Sequence, residues 1–155
     1  MKRKNGYVGF KLDFHKAYDC LEWKFISTIL CMLGFDQKSV NLIHKCISTI
    51  NFTLLLNGCK SGSFSPSRGV RQRDPLSPYL YILCGEILAR MINREVAAGS
   101  IKAVKVATNA PSISMLSYAN DVLLFCGAKI SEISNLMKCV DMFVLVRAIN
   151  KSGKN

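Results

Sequence analysis

Apolar and polar residues alternate along this chain in two rhythms. Residues 7–13 (Tyr-Val-Gly-Phe-Lys-Leu-Asp) read as a strand that ends on a carboxylate. Leu21, Phe25, Ile29 and Met32 or Leu33 then recur at helical spacing, and Gly34 supplies a stop. Asp19 and Glu22 form an acidic variant of the capping box ahead of that helix. Asp36 caps a second helix, with Val40, Ile43 and Ile47 on one face. Residues 52–56 return to the strand pattern, and Asn57-Gly58 is a hairpin turn. The return arm, through residues 60–65, is less regular. Pro75 and Pro78 bracket the start of a long helix over residues 78–97, with Ser77 as its cap and Gly99 at its end. Residues 101–107 predict a short strand. A second hairpin over residues 113–125 follows, its turn at Asn120-Asp121. Ser131 caps a last helix whose core face is Ile133, Leu136, Val140 and Phe143 or Val144. The tail, residues 147–155, is expected to fray.

The order is strand, two helices, hairpin, helix, hairpin, helix, with no glycine fingerprint of a dinucleotide-binding fold. It suits an α+β architecture with helices packed on one face of an antiparallel sheet. A length of 155 residues with 50% apolar content fits one globular domain or part of one. The net charge of +11, from 21 basic and 10 acidic residues, points to a polyanionic partner, most simply nucleic acid. Seven cysteines, odd in number and never in a Cys-x-x-Cys pair, argue against a disulfide framework and a zinc site. Met1-Lys2-Arg3-Lys4 has the charge of a signal peptide, but Gly6, Gly9 and Lys11 interrupt any apolar stretch behind it. No run approaches the ~18 apolar residues of a membrane helix. An intracellular location, nucleus or cytoplasm, and no membrane partner are expected.

Three segments carry candidate chemistry. Lys11-Leu12-Asp13-Phe14 sets a carboxylate at a strand end. Arg68-Gly69-Val70-Arg71-Gln72-Arg73-Asp74-Pro75 precedes the long helix. Tyr118-Ala119-Asn120-Asp121 forms a hairpin tip. Each alone is ordinary: a strand-end carboxylate, a solvated arginine face, a turn. In this order and with these flanks they resemble motifs A, B and C of a reverse transcriptase palm. The likeness is to LINE-type non-LTR retrotransposons of plants and runs over residues 7–143. It implies a polymerase palm-like fold and phosphoryl transfer with two Mg²⁺ ions about 3.5–4 Å apart. On this resemblance Asp13 and Asp121 are metal ligands, and Asn120 completes the catalytic set. Tyr18 is the aromatic that excludes a ribose 2′-hydroxyl. Gln72 lies along the incoming nucleotide, with Arg71 and Arg73 beside it. The partners would be an RNA template, a DNA primer and a dNTP.

Two residues depart from the family pattern. Asn120 stands where the first of two aspartates is expected, and an amide oxygen offsets no metal charge. Arg73 stands where the family has glycine, which allows close backbone approach or an unusual φ. Fingers and thumb segments are expected to be missing from a single partial domain over residues 1–155, unless a partner supplies them. These features imply an inactive or badly impaired polymerase. The alternative is a non-catalytic, reverse-transcriptase-derived module that binds nucleic acid or protein. The apolar helix over residues 78–97 further predicts that the chain self-associates.

Overall fold

The structure, a computed structural model, describes residues 6–14, 16–118 and 121–148. In chain order its elements are β1 (Tyr7–Asp13), α1 (Trp23–Met32), α2 (Gln37–Ser48), β2 (Phe52–Leu56), β3 (Cys59–Phe64), α3 (Ser77–Ala97), β4 (Val104–Lys105), β5 (Ser112–Ile113), β6 (Met115–Tyr118), β7 (Asp121–Gly127) and α4 (Ile130–Ala148). Helices thus mix with antiparallel strands throughout. Two compact units are distinguished: residues 1–15 with 84–146, and residues 16–83 with 147–155.

The first unit is built on a three-stranded antiparallel sheet in the order β1-β7-β6. Alternation sets its two faces. Val8, Phe10 and Leu12 lie opposite Cys126, Leu124 and Val122 on the inner face, where all three β7 residues are buried. Leu88 and Ile92 of α3, Ile101, and Leu136, Val140 and Phe143 of α4 complete the core. The Phe143 ring also tilts onto Phe14, centroids 5.7 Å apart.

Glu132 ties this unit together. Its carboxylate is buried and accepts the backbone N–H groups of Lys102 at 2.9 Å and Gly127 at 3.0 Å. The Lys102 N–H chiefly holds its carboxyl below the usual range, and the Gly127 N–H and Lys129 add to this. A Cβ on Gly127 would stand 2.6 Å from the Glu132 oxygen, so only glycine admits this contact. These bonds shorten the strand expected over residues 101–107 to the two residues of β4. The N–H groups of Ser100 and Ile101 go to the Glu95 carbonyl and that of Lys102 to Glu132, leaving no ladder there. Helix α4 begins at Ile130, with the Ile133 N–H bonded to the Lys129 carbonyl, so Ser131 lies inside the first turn rather than capping it.

In the second unit α1 ends at the expected glycine, Gly34, with φ +90°. Its start differs from the acidic capping box. Glu22 sits at the N-cap without a side-chain cap bond, and its carboxylate instead turns to Arg68, 3.6 Å away. At that distance the two groups attract as charges without a hydrogen bond between them. Asp36 caps α2 as expected, accepting from the N–H groups of Lys38 and Ser39. Asn57 and Gly58 both take positive φ, +51° and +80°, the geometry of a type I′ hairpin turn. The return arm β3 is a full strand, but its register slips between Leu54 and Leu55, leaving Ser61 as a bulged residue. That extra residue breaks the period-two pattern in the sequence. Helix α3 begins at Ser77, one residue early. The Leu80 N–H bonds to the Leu76 carbonyl, and Asp74 holds the Leu76 N–H at 2.9 Å, so Ser77 is helical rather than a cap. Helix α4 includes Arg147 and Ala148; residues 149–155 lie outside the described residues.

Candidate active site

The inward residues Val8, Phe10 and Leu12 fix the phase of β1, so Lys11 and Asp13 point to the opposite, solvent face. The register then aligns one row across three strands: Asp13 of β1, Asp121 of β7 and Tyr118 of β6. The next row is Lys11, Leu123 and Leu116. Two carboxylates directly across a strand pair repel each other. Lys11 offsets that repulsion, its Nζ 3.1 Å from Asp121 Oδ1. All of this faces solvent; Tyr118 is 86% exposed. A shallow pocket of about 370 Å³ runs over Lys11, Leu116, Ser117, Tyr118, Asp121 and Leu123.

The sheet therefore brings Asp13 and Asp121 together from positions far apart in sequence. Asn120, with Ala119 and His15, lies outside the described residues. Among the described residues no cluster of three or more His, Cys, Asp or Glu side chains is poised around a metal. The pair alone supplies carboxylate oxygens on one exposed face, hard donors of the kind a divalent cation takes. The free thiols are a poor match for such an ion. Burial pushes Cys84 up to about 12 and also raises Cys126 and Cys139, so these stay protonated.

The other candidate residues belong to the second unit. Residues 18–21 and 68–70 lie back to back. The Gly69 N–H bonds to the Leu21 carbonyl at 2.8 Å, and the Val70 N–H bonds to the Tyr18 carbonyl at 3.0 Å. The Trp23 indole N–H donates to the Gly69 carbonyl at 2.7 Å. Gly69 takes φ +85°, and a Cβ there would stand 2.9 Å from the Asp19 carbonyl oxygen. Beside this contact lies a cleft of about 440 Å³ whose lining includes Asp19, Phe52, Arg68, Arg71 and Gln72. Arg71 is held in a 2.7 Å ion pair with Asp74. The Leu76 N–H and then Arg71 keep the Asp74 carboxyl below its ordinary range. Tyr18 is half-buried and stacks on Tyr81, centroids 5.1 Å apart, outside the cleft lining. Arg73 is exposed, also outside the lining, with φ +64°. That is a backbone angle glycine adopts freely and arginine does not. Sequence reasoning missed Trp23 and Phe52. The only available signal was a lone tryptophan opening a helix and an aromatic at a strand start.

The reverse transcriptase (RNA-dependent DNA polymerase) family model matches residues 1–150. An uncharacterized mitochondrial protein of Arabidopsis thaliana is 45% identical over 67 residues, which is 43% of this chain and 55% of that protein. The retrovirus-related Pol polyprotein from a type-2 retrotransposable element of Drosophila melanogaster is 31% identical over 87% of this chain and 12% of its own length. A Pol polyprotein from a type-1 retrotransposable element of Popillia japonica is 30% identical over 79% of the chain and 17% of its own length. The chain thus spans about half of the first relative and under a fifth of the two polyproteins. No helix among the described residues is long and apolar enough to cross a membrane. The family match covers nearly every residue, including both strands that carry the paired aspartates, and the chain belongs to the reverse transcriptase (RNA-dependent DNA polymerase) family.

Proposed function

We propose that this chain is the palm portion of a LINE-type non-LTR retrotransposon reverse transcriptase, acting in the nucleus or cytoplasm on an RNA template and DNA primer. The observation that carries this reading is the Asp13–Asp121 pair at the end of the β1–β7 ladder. These carboxylates would hold the divalent cation, and Lys11 would surrender Asp121 as the metal enters. Bound Mg²⁺ would supply Lewis-acid activation of a primer hydroxyl and charge stabilisation on the departing pyrophosphate. Gln72, with Arg71 and Arg73, would meet the incoming dNTP, and Tyr18 would police its sugar. Asn120 adds no charge to this set and Arg73 replaces a glycine, so the reaction is impaired. A missing charged ligand commonly removes several kcal/mol of transition-state stabilisation.

A primer-extension assay tests this. With Mg²⁺ the chain should give no detectable incorporation, and the Asn120→Asp, Arg73→Gly double variant should raise incorporation above background. Incorporation by the unaltered chain that Asp13→Ala abolishes would overturn the impairment. Mg²⁺ or Mn²⁺ binding that survives loss of both Asp13 and Asp121 would overturn the metal assignment.

The second reading, a non-catalytic module for nucleic acid or protein, draws on the Lys11–Asp121 ion pair. An ammonium occupying one carboxylate can stand permanently where a metal would. Retained Mn²⁺ binding separates the two readings.

A further inference from the structure

The cleft beside Gly69 combines three chemistries in about 440 Å³, within the range of about 300–1,000 Å³ that small-ligand sites span. Phe52, Pro66 and Val70 make part of its lining apolar, Arg68 and Arg71 bring positive charge, and Asp19 adds a carboxylate. All six belong to the second unit. Phe64 stacks on the Phe52 ring, centroids 5.4 Å and planes 25° apart, and so backs it from one side. Phe52 still keeps 36% of its surface exposed. Each arginine is held by a carboxylate outside the cleft lining: Arg71 by Asp74 at 2.7 Å, and Arg68 by Glu22 at 3.6 Å. Glu22 Oε1 takes no hydrogen bond, so the Arg68 N–H groups are not spent on it. Arg71 gives Asp74 one arm of a five-donor fork.

We infer that this cleft holds one unpaired nucleotide of a single strand, with its base stacked on Phe52 and its flanking phosphates met by Arg68 and Arg71. An aromatic platform beside cations takes single-stranded nucleic acid whatever its sequence, because every base has a π-face and every nucleotide a phosphate. A base inside a duplex is covered on both faces and offers the ring nothing. An acidic peptide would match the arginines but leave Asp19 facing like charge. A base instead brings N–H donors, which a carboxylate accepts. The identity of this strand as the template rests on the reading above. The subsite itself needs neither metal nor the paired aspartates.

Fluorescence anisotropy on the full chain tests this, with a short labelled single strand, the same strand without bases, and a duplex, all in EDTA. Because metal is absent throughout, failure here is separate from failure of the metal assignment. Phe52→Leu, which keeps an apolar side chain but no ring, should weaken single-strand binding about fivefold or more and leave duplex binding unchanged. Phe52→Tyr should bind as the parent does. Arg68→Gln should lower the salt slope by about 1, and Phe52→Leu should leave that slope alone. Trp23, the only tryptophan of the chain, donates to the Gly69 carbonyl in the cleft lining, so its emission should shift with the single strand and not with the duplex. Binding of the base-free strand as tight as that of the intact strand would overturn the inference. So would an equal loss of duplex binding in Phe52→Leu, or displacement of the strand by polyglutamate as readily as by unlabelled strand.

Discussion

At the scale of single residues, two positive-φ positions have opposite consequences for stability. Arg73 occupies φ +64°, where the Cβ of an L-residue crowds its own backbone. Glycine, which lacks that Cβ, would suit this turn better. Arg73→Gly should therefore stabilise the protein by about 1 kcal/mol, the αL penalty less the entropy glycine costs in the unfolded chain. A chemical-denaturation midpoint that falls on this substitution would contradict the geometry. Gly69 is the opposite case. Its positive φ and its contact with the Asp19 backbone leave no room for a methyl group. Gly69→Ala should cost about 2 kcal/mol or more, since backbone must move on one side or the other. The same substitution should widen the cleft beside Arg71 and Gln72, because residues 18–21 and 68–70 would separate.

At the scale of elements, the strands and helices were legible wherever periodicity was local. The phase of β1, the Asn57-Gly58 turn and the Asp36 cap all follow from residues within a few positions of one another. The misses were non-local. Glu22 reads as a capping residue until Arg68 is seen beside it. Residues 101–107 read as a strand until Glu132, 30 positions from Lys102, takes the Lys102 amide. The candidate site divides in the same way. Asp13 and Asp121 were visible as motif members, yet their pairing depends on a register that only the inward apolar residues of two distant strands define. The Glu132 latch carries a pH prediction. Its folded carboxyl is held below the ordinary glutamate value of 4.5, so its contribution is complete above that pH and fades as pH falls through the lower folded value. Glu132→Gln should cost about 1–2 kcal/mol at neutral pH by weakening charge-assisted bonds to two amides. It should also flatten the loss of stability below pH 4.5. Equal acid sensitivity in variant and parent would remove Glu132 from the explanation.

At the scale of the whole molecule, charge decides what the chain meets first. Of 21 basic residues, Lys11, Arg68, Arg71, Arg90 and Lys129 are tied to carboxylates among the described residues. These pairs lie at or near the surface and contribute little stability. Among the described residues the remaining lysines are exposed and can meet phosphates. Binding to RNA or DNA releases condensed counterions, so its affinity should fall with salt on a log–log slope of about −3 or steeper, as three or more phosphates are neutralised. Between 50 and 200 mM salt that slope amounts to a loss of about sixtyfold or more. Fluorescence anisotropy with a labelled RNA–DNA hybrid across this range is the direct measurement. A flat titration, or no binding at low salt, would remove nucleic acid as the partner that the charge selects.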